Sequence, residues 1–245
     1  MQYGLPYKGN KSAIVHRIYD VISANHNLSD ITFVDMFGGG GSVSHYFSEL
    51  IMDRPNKVIY NEYNEFLYKI TSAKLKINRS DAMTKTQFYE YVKGKDKNIK
   101  SDAIVLLQSA LHRSVNFRYR EEVFSESLFT HYMNIANRYY SNTIDEFCNM
   151  DFVACYKFNA AKHSNIVLYC DPPYFETTGY YEEFDYNRFV KFINKVSKIV
   201  PVYISEYCVH PDLIKPDKVY KFTKQNHLGK DRSKKITELL MEYIP

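Results

Sequence analysis

The sequence predicts an α/β protein in which a sheet of buried strands is interrupted by a helical, basic insertion. Three observations support this prediction. An apolar run at residues 31–37 leads into glycines 38–41, and a helical pattern follows them. A second strand pattern, at residues 57–62, begins about 25 residues later, as a β-α-β unit requires. After a polar stretch, the apolar run 165–170 ends in the tetrapeptide Asp-Pro-Pro-Tyr at 171–174.

The other elements follow from the spacing of apolar residues. A helix is predicted over residues 12–23, where Ile14, Ile18 and Ile22 share one face. Ser42 is placed to cap the helix that follows the glycines. Further strands are predicted at residues 201–205, 218–222 and 237–244, the last two as a pair across the basic segment 229–235.

The chain has 245 residues, which fits one large domain or two small ones. We expect residues 1–64 and 146–245 to form one sheet domain. Residues 65–145 are expected to form the helical insertion, because their pattern is more polar and interleaves basic with aromatic side chains.

The composition is that of a globular protein with a sizeable core, since 45% of the residues are hydrophobic and 24% are charged. The 32 basic and 28 acidic side chains permit a polyanionic partner but do not require one. The four cysteines have no C-x-x-C spacing and the eight histidines have no metal-ligand spacing, so no metal site is predicted. Without a secretory signal or an apolar run of about 20 residues, a cytoplasmic protein without membrane contact is expected.

The glycine turn between the first strand and its helix has the form of a ligand-binding loop. A strand that runs into glycines and then a helix brings backbone N–H groups and a helix N-terminus close to a ligand. A phosphate-binding P-loop is rejected, because Asn10 separates Gly9 from Lys11 and no strand precedes them. A dinucleotide motif also fits poorly, because Val43 stands where the third glycine is needed.

Glu62 stands at the tip of the second strand. A carboxylate at this place can accept hydrogen bonds from both ribose hydroxyls of a nucleoside. Together with the glycine turn, it predicts a cofactor that carries a nucleoside but no pyrophosphate. S-adenosylmethionine meets that description.

The Asp-Pro-Pro-Tyr segment predicts a catalytic site, because ligands of open α/β sheets bind at the carboxyl ends of strands. Prolines lack an N–H and restrict the backbone, so Asp171 and Pro172 present a carboxylate and a carbonyl as rigid acceptors. The complementary ligand is a planar amine with two N–H donors, such as the exocyclic amino group of a base. Accepting both hydrogen bonds favours attack by the nitrogen on a sulfonium methyl group. Tyr174 would stack on the base, which in a duplex must first be flipped out.

These segments resemble the Dam-type N6-adenine DNA methyltransferases, the class called D12 or α, and especially its compact phage-encoded members. Residues 7–11 are similar to the family's N-terminal cofactor motif, and residues 33–39 to its glycine motif. Glu62 matches the acidic residue that binds ribose, and residues 151–152 resemble the pair that reads the cofactor adenine. Residues 171–174 match the catalytic motif, and the motif order is that of the α arrangement.

The resemblance implies a Rossmann-like fold of S-adenosylmethionine-dependent methyltransferases with a helical target-recognition insertion. It implies methyl transfer from S-adenosylmethionine to the N6 amino group of adenine in a specific sequence of double-stranded DNA, by base flipping. The implied catalytic residues are Asp171, Pro172 and Tyr174. The implied cofactor-binding residues are Tyr7, Gly9, Lys11, Asp35, Phe37, Gly38, Gly39, Glu62, Asp151, Phe152 and Asp171.

DNA recognition is expected from the insertion, whose position between the glycine and catalytic motifs matches the α order. The candidate DNA-binding residues are Arg113, Asn116, Arg118 and Arg120, with Lys234 in the later basic segment. Residues 114–120 match the family's recognition hairpin only loosely, so the resemblance does not define the target sequence. It does not define the oligomeric state either.

Two alternatives stay open. The same chemistry could serve another amine, such as an adenine in RNA or the N4 of cytosine. Related enzymes for glutamine or RNA use Asn-Pro-Pro-Tyr or Asn-Pro-Pro-Phe, and cytosine-N4 enzymes more often carry Ser-Pro-Pro-Tyr. The second alternative is a non-catalytic DNA-binding relative, against which the presence of Tyr7, Lys11, Asp35, Glu62 and Asp171 argues.

Overall fold

The computed structural model describes residues 3–4, 9–51, 57–73, 75–108, 134, 143–175, 184–225 and 235–245. Its strands are β1 Thr32–Asp35, β2 Val58–Asn61, β3 Glu146–Cys148, β4 Ile166–Cys170, β5 Val202–Glu206, β6 Lys218–Gln225 and β7 Lys235–Tyr243. They form one seven-stranded sheet in the order β3-β2-β1-β4-β5-β7-β6. Strands β1 to β5 are parallel to one another, whereas β7 is antiparallel to both β5 and β6. This architecture confirms the predicted α/β sheet.

The helices of the described residues are α1 Val15–Asn25, α2 Ser42–Leu50, α3 Glu65–Ser72, α4 Lys85–Lys93, α5 Ile99–Gln108, α6 Phe152–Ala160 and α7 Tyr186–Val196, with a short 3-10 helix at Arg79–Asp81. Three of them, α3 to α5, fall within the predicted insertion, and β3 returns the chain to the sheet beside β2. The exact domain boundaries stay a prediction. Each helix in the described part of the chain is too short or too polar to span a bilayer.

The sheet is covered on both faces, which explains why β1 and β4 are continuous apolar runs rather than alternating ones. Phe33 of β1 packs with α1 and α2 and stacks on Phe47 at 4.0 Å between ring centroids. The next residue, Val34, points to the opposite face, where it packs with residues of α6 and α7 such as Ile193. The helices on both faces of the sheet therefore pack against its central strands.

Two details differ from the sequence prediction. Helix α1 begins at Val15 rather than residue 12, after a turn in which the N–H groups of Ile14 and Val15 bind the carbonyl of Lys11. Ser42 does not cap α2; Gly41, in the left-handed conformation at φ 74°, occupies the cap position, and the Ser42 Oγ accepts the N–H of Lys11. The predicted pair of closing strands is confirmed by the antiparallel pairing of β6 and β7.

The strand order reverses between β1 and β4, because β2 and β3 lie on one side and β5 to β7 on the other. The connections leave a crevice outside the carboxyl ends of the strands at such a switch point, and ligands bind there. The glycine turn follows β1, and the Asp-Pro-Pro-Tyr segment follows β4. The two predicted motifs therefore meet at this crevice.

Candidate active site

A cavity of about 340 Å³ lies at the carboxyl ends of the central strands. Its wall includes most of the predicted site residues, namely Gly9, Asp35, Phe37, Gly38, Gly39, Glu62, Asp151, Phe152, Asp171, Pro172 and Tyr174. The site has two parts. The glycine-turn side consists of residues 35–41, 61–64 and 150–152, and the Asp-Pro-Pro-Tyr side consists of Lys11, residues 171–175, 206–207 and Glu238.

Some predicted residues lie outside the described part of the chain. They are Tyr7 of the N-terminal motif and the DNA-binding candidates Arg113, Asn116, Arg118, Arg120 and Lys234. Their roles stay predictions.

The glycine turn owes its shape to close packing and to left-handed backbone. A Cβ at Gly38 would lie 2.2 Å from Cε2 of Tyr60, so a larger residue cannot be placed there without moving a buried ring. Gly39 has φ 50°, a conformation that side chains disfavour. The Tyr60 hydroxyl donates to the carbonyl of Gly39 at 2.8 Å and ties the turn to β2.

Glu62 is held against the glycine turn by backbone groups. Its Oε2 accepts the N–H of Gly39 at 2.8 Å, and its Oε1 accepts the N–H of Asn64 at 2.7 Å. Burial raises the pKa of Glu62, and these backbone donors oppose the increase. Because a carboxylate has about four acceptor positions, each oxygen keeps capacity for a further donor from the cavity.

Asn61, which the sequence analysis did not single out, joins three chain segments beneath this side. Its amide nitrogen donates to the carbonyls of Met36 and Met150, both at 3.0 Å, and its Oδ1 accepts the N–H of Met150 at 3.1 Å. The Asn61 side chain is buried. Its hydrogen bonds link the ends of β1 and β2 to the loop before α6. In the sequence, this role could have been inferred only from the presence of a polar residue, Asn61, at the end of an apolar strand pattern.

Asp35 at the end of β1 is a buried carboxyl group that faces the cavity. Its Oδ2 accepts the hydroxyl of Ser44 at 2.6 Å, whereas its Oδ1 is buried and finds no hydrogen-bond partner among the described residues. Burial raises the pKa of Asp35 to about 7, and the nearby Asp171 and Glu62 carboxylates add to the increase. Such an orphaned acceptor favours a donor from a ligand.

Asp151 and Phe152 begin helix α6 at the edge of the cavity. Asp151 caps the helix by accepting the N–H of Val153 at 3.0 Å. The guanidinium of Arg188 on α7 also pairs with both oxygens of Asp151, at 2.8 and 2.6 Å, and lies 4.9 Å from the ring centroid of Phe152. Phe37 contacts the same ring, with 5.9 Å between centroids. Arg188 was missed because it lies 37 positions from Asp151.

Lys11 is buried on the Asp-Pro-Pro-Tyr side and contacts two of its carboxylates. Its Nζ lies 2.5 Å from Oδ2 of Asp171, 2.8 Å from the carbonyl of Gly9 and 3.3 Å from Oε1 of Glu238. Burial alone would lower the pKa of Lys11, but the two carboxylates outweigh burial and raise it, so the ammonium is charged. Lys11 is not among the described residues that line the cavity, and its predicted cofactor contact stays a prediction.

Tyr174 reaches the cavity but is 5% exposed. Its hydroxyl donates to Oε1 of Glu238 at 2.7 Å, and the Nζ of Lys11 lies 4.9 Å from its ring centroid. The ring of Tyr207, which is 38% exposed, packs against it with 4.2 Å between centroids. The ring plane of Tyr174 is therefore fixed by the protein.

Glu206, at the end of β5, holds the backbone that follows the tetrapeptide. Its Oε2 accepts the N–H of Phe175 at 3.0 Å, and its Oε1 accepts the N–H of Tyr207 at 2.9 Å. Burial raises the pKa of Glu206 to about 7. The sequence analysis missed both Glu206 and Glu238, although an acidic residue within an apolar strand pattern signals each of them.

The sheet order and the cavity at the strand ends define the class of protein as a Rossmann-like α/β fold with a ligand site at its switch point. The chain belongs to the D12 class N6 adenine-specific DNA methyltransferase family, whose profile matches residues 7–236. The resemblance stated from the motifs is thereby confirmed. The protein is a DNA adenine methyltransferase, and methyltransferases of this family and fold use S-adenosylmethionine.

Among solved structures, the chain is similar to the rRNA methyltransferase aviRa from Streptomyces viridochromogenes. The identity is 10% and the TM-score 0.47, over 94% of this chain and 84% of that one. Comparison with curated proteins found no match.

Proposed function

We propose that this protein transfers the methyl group of S-adenosylmethionine to the N6 amino group of adenine in a specific sequence of double-stranded DNA, after flipping the base out of the helix. Membership of the family supports adenine in DNA as the methyl acceptor. The observation that carries the proposal is the Asp171 carboxylate. It follows a central strand, lines the cavity and is held from below by Lys11.

The groups on the glycine-turn side fit the cofactor. Glu62 keeps acceptor positions for ribose hydroxyls, and the orphaned Oδ1 of Asp35 needs a donor such as the ammonium or a hydroxyl of the cofactor. Phe37 and Phe152 offer aromatic surface for the adenine ring. A cavity of about 340 Å³ falls within the range of small-molecule pockets. When bound, the cofactor supplies a methyl group on a positively charged sulfur.

The remaining predicted cofactor-binding residues complete this arrangement. Gly38 and Gly39 preserve the shape of the turn beside the cavity, because a side chain would collide with Tyr60 at position 38 and strain the backbone at position 39. Gly9 lines the cavity, and Asp151 is an acceptor at its edge. Tyr7 and Lys11 are proposed with them on the resemblance of the N-terminal motif.

The Asp-Pro-Pro-Tyr side orients the amine. The Asp171 carboxylate and the Pro172 carbonyl accept one N–H each, which directs the nitrogen lone pair toward the methyl group. Lys11 donates to Oδ2 of Asp171 and thereby orients the carboxylate. Tyr174 contacts the base, and its fixed ring plane restricts how the base can enter. Most of the catalysis is therefore positioning and preorganised electrostatics.

The acceptor is tested by incubating the protein with labelled S-adenosylmethionine and a random-sequence DNA duplex. In parallel incubations, single-stranded RNA of the same sequence or a duplex without adenine replaces the random-sequence duplex. We expect label only in DNA that contains adenine, recovered as N6-methyladenine after digestion and mass spectrometry. Label in N4-methylcytosine, in RNA alone, or in none of the substrates would contradict the proposal.

Methylation of the same random-sequence DNA duplexes also tests whether the insertion is the recognition element. Arg113, Asn116, Arg118, Arg120 and Lys234 are changed to Ala one at a time, and methylated sites are sequenced. Loss of a phosphate contact weakens methylation of all sequences alike and lowers the salt slope by about one unit. Loss of a base contact relaxes the preference at one position and costs about 1–3 kcal/mol. We expect at least one arginine variant to relax the preference; unchanged sites in all variants would locate recognition elsewhere.

A further inference from the structure

Glu238 of β7 is a fully buried carboxylate beneath the candidate site. It is not among the described residues that line the cavity, so neither the motifs nor the cavity points to it. Its Oε1 accepts the hydroxyl of Tyr174 at 2.7 Å and lies 3.3 Å from the Nζ of Lys11. One buried carboxylate thus contacts two groups that the sequence assigns to the site.

Among the described residues, Glu238 completes a set of three acceptor oxygens around the Lys11 ammonium. An ammonium group has three N–H donors. The carbonyl of Gly9 and the Oδ2 of Asp171 accept hydrogen bonds from the Nζ, and the Oε1 of Glu238 forms an ion pair with it at 3.3 Å. These contacts restrain the ammonium, and the ammonium in turn orients Asp171.

Glu238 also sets the charge of the site. With Lys11 and Asp171 alone, one cation would be paired with one anion. With Glu238, the Lys11 ammonium is shared between two carboxylates. Asp171 therefore keeps more of its negative charge for the amine that it is proposed to bind.

We propose that Glu238 is a positioning residue for methyl transfer. It holds the Lys11 ammonium and the Tyr174 hydroxyl and thereby fixes the Asp171 carboxylate in the orientation that accepts the amine. The inference rests on the proposed function, because it assumes the acceptor role of Asp171. Position 238 is fully buried and pairs across the strands with Phe222, so a carboxylate there has a desolvation cost that this role explains.

The chain contains a closely matched control on the same strand. Glu242 is also buried, accepts a tyrosine hydroxyl from Tyr220 at 2.8 Å and lies 3.6 Å from the Nζ of Lys218. It also accepts the side-chain amide of Asn25 on α1 at 2.7 Å, and none of these three partners is among the described residues that line the cavity. Glu238→Gln and Glu242→Gln therefore each remove one charge from a buried glutamate of β7 that contacts a tyrosine hydroxyl and a lysine.

The test compares the two variants by single-turnover methylation, calorimetry with S-adenosylhomocysteine and melting temperature. Glu238→Gln is expected to lower the single-turnover rate by about tenfold to a hundredfold, as small misplacements of reacting groups do. Its affinity for S-adenosylhomocysteine is expected to stay within about twofold, since Glu238 does not line the cavity. Glu242→Gln is expected to lower the melting temperature and to keep the rate.

A wild-type rate in folded Glu238→Gln would overturn the inference, as would equal losses of rate in both variants. If Glu238→Gln does not fold, Tyr174→Phe decides, because it removes one partner of Glu238 and keeps the aromatic ring. A several-fold lower rate with unchanged S-adenosylhomocysteine affinity supports the role, whereas a wild-type rate overturns it. Different results would contradict the proposed function itself. These are a wild-type protein that forms no N6-methyladenine, or an Asp171→Ala variant that remains active.

Discussion

The two sides of the cavity hold their functional groups in different ways. On the glycine-turn side, Glu62 is held by the N–H groups of Gly39 and Asn64, and the turn is tied to β2 by Tyr60. These contacts join residues at most 23 positions apart, although Asn61 on this side also binds Met150, 89 positions away. On the Asp-Pro-Pro-Tyr side, Lys11 and Asp171 are 160 positions apart, and Tyr174 and Glu238 are 64 apart.

The difference predicts how each side responds to substitution. Backbone donors stay in place when a side chain is changed, so a substitution on the glycine-turn side should remove ligand contacts and little else. On the other side, each charged group supports the next, so a substitution should change the orientation and charge of its neighbours. We expect the first kind to act on cofactor affinity and the second on the rate of transfer.

Asp171→Ala is expected to give the largest effect and tests whether the Asp-Pro-Pro-Tyr side acts on the rate of transfer. We expect methyl transfer to fall by at least about a hundredfold to a thousandfold, the scale for loss of a preorganised catalytic contact. The affinity for S-adenosylhomocysteine, measured by calorimetry, should be largely kept. Asp212→Ala, which changes an exposed aspartate, serves as the control. A turnover within a few-fold of wild type would refute the role of Asp171.

Glu62→Ala tests the opposite side. We expect the affinity for S-adenosylhomocysteine to fall by about tenfold or more, because each charge-assisted hydrogen bond contributes about 1.5–3 kcal/mol. The transfer rate at saturating cofactor should change much less. Glu65→Ala is the control, since Glu65 forms an exposed ion pair with Lys69. Unchanged affinity in calorimetry would show that Glu62 does not bind the cofactor.

The Asp35 carboxyl group makes cofactor affinity depend on pH. Its pKa of about 7 means that the carboxyl is largely protonated below that pH and charged above it. Because the charged form is the better acceptor for an ammonium or hydroxyl donor, affinity for S-adenosylhomocysteine should rise with pH through about 7 and then level off. Calorimetry at several pH values measures this. Asp35→Asn should flatten the curve, and an unchanged curve would assign the dependence to another group.

The same group has the opposite effect on the stability of the free protein. Its pKa is higher in the folded protein than the ordinary value of 3.8, so the folded state binds a proton that the unfolded state has released. The contribution of Asp35 to the free energy of unfolding is therefore most favourable below pH 3.8 and is lost as pH rises to about 7. Chemical denaturation of wild type and Asp35→Asn across this range separates this effect from ligand binding.

Arg188→Ala is expected to have the smallest effect. The Arg188 side chain is about half exposed, so its pair with Asp151 should add little to the free energy of unfolding. It does orient Asp151 and cover Phe152, so the affinity for S-adenosylhomocysteine should fall about threefold to tenfold, as for loss of one hydrogen bond. Arg188→Lys keeps the charge but cannot form the two-pronged contact, and should recover only part of the affinity. Full affinity in Arg188→Ala would exclude this positioning role.

The sequence by itself determined the features that are local along the chain. The strand, glycine turn and helix around Gly38, and the strand that ends at Asp171, were predicted because apolar spacing and glycine or proline restrict the backbone over a few residues. Strand β3, with three residues, was missed because so short a segment has no periodicity. Ser42 was assigned to the wrong role because a preceding glycine can take the cap position without a side chain.

Only the tertiary structure decided which groups act together. Lys11 lies before α1, Asp171 after β4 and Glu238 on β7, and only the pairing of β7 with β5 brings Glu238 beneath the site. The contact of Asp151 with Arg188 likewise depends on the packing of α6 near α7. Long-range contacts of this kind leave no pattern in one sequence, because their spacing is set by sheet order rather than by the periodicity of a helix or strand. Motif chemistry could therefore identify the reaction, whereas the arrangement of charges around it required the fold.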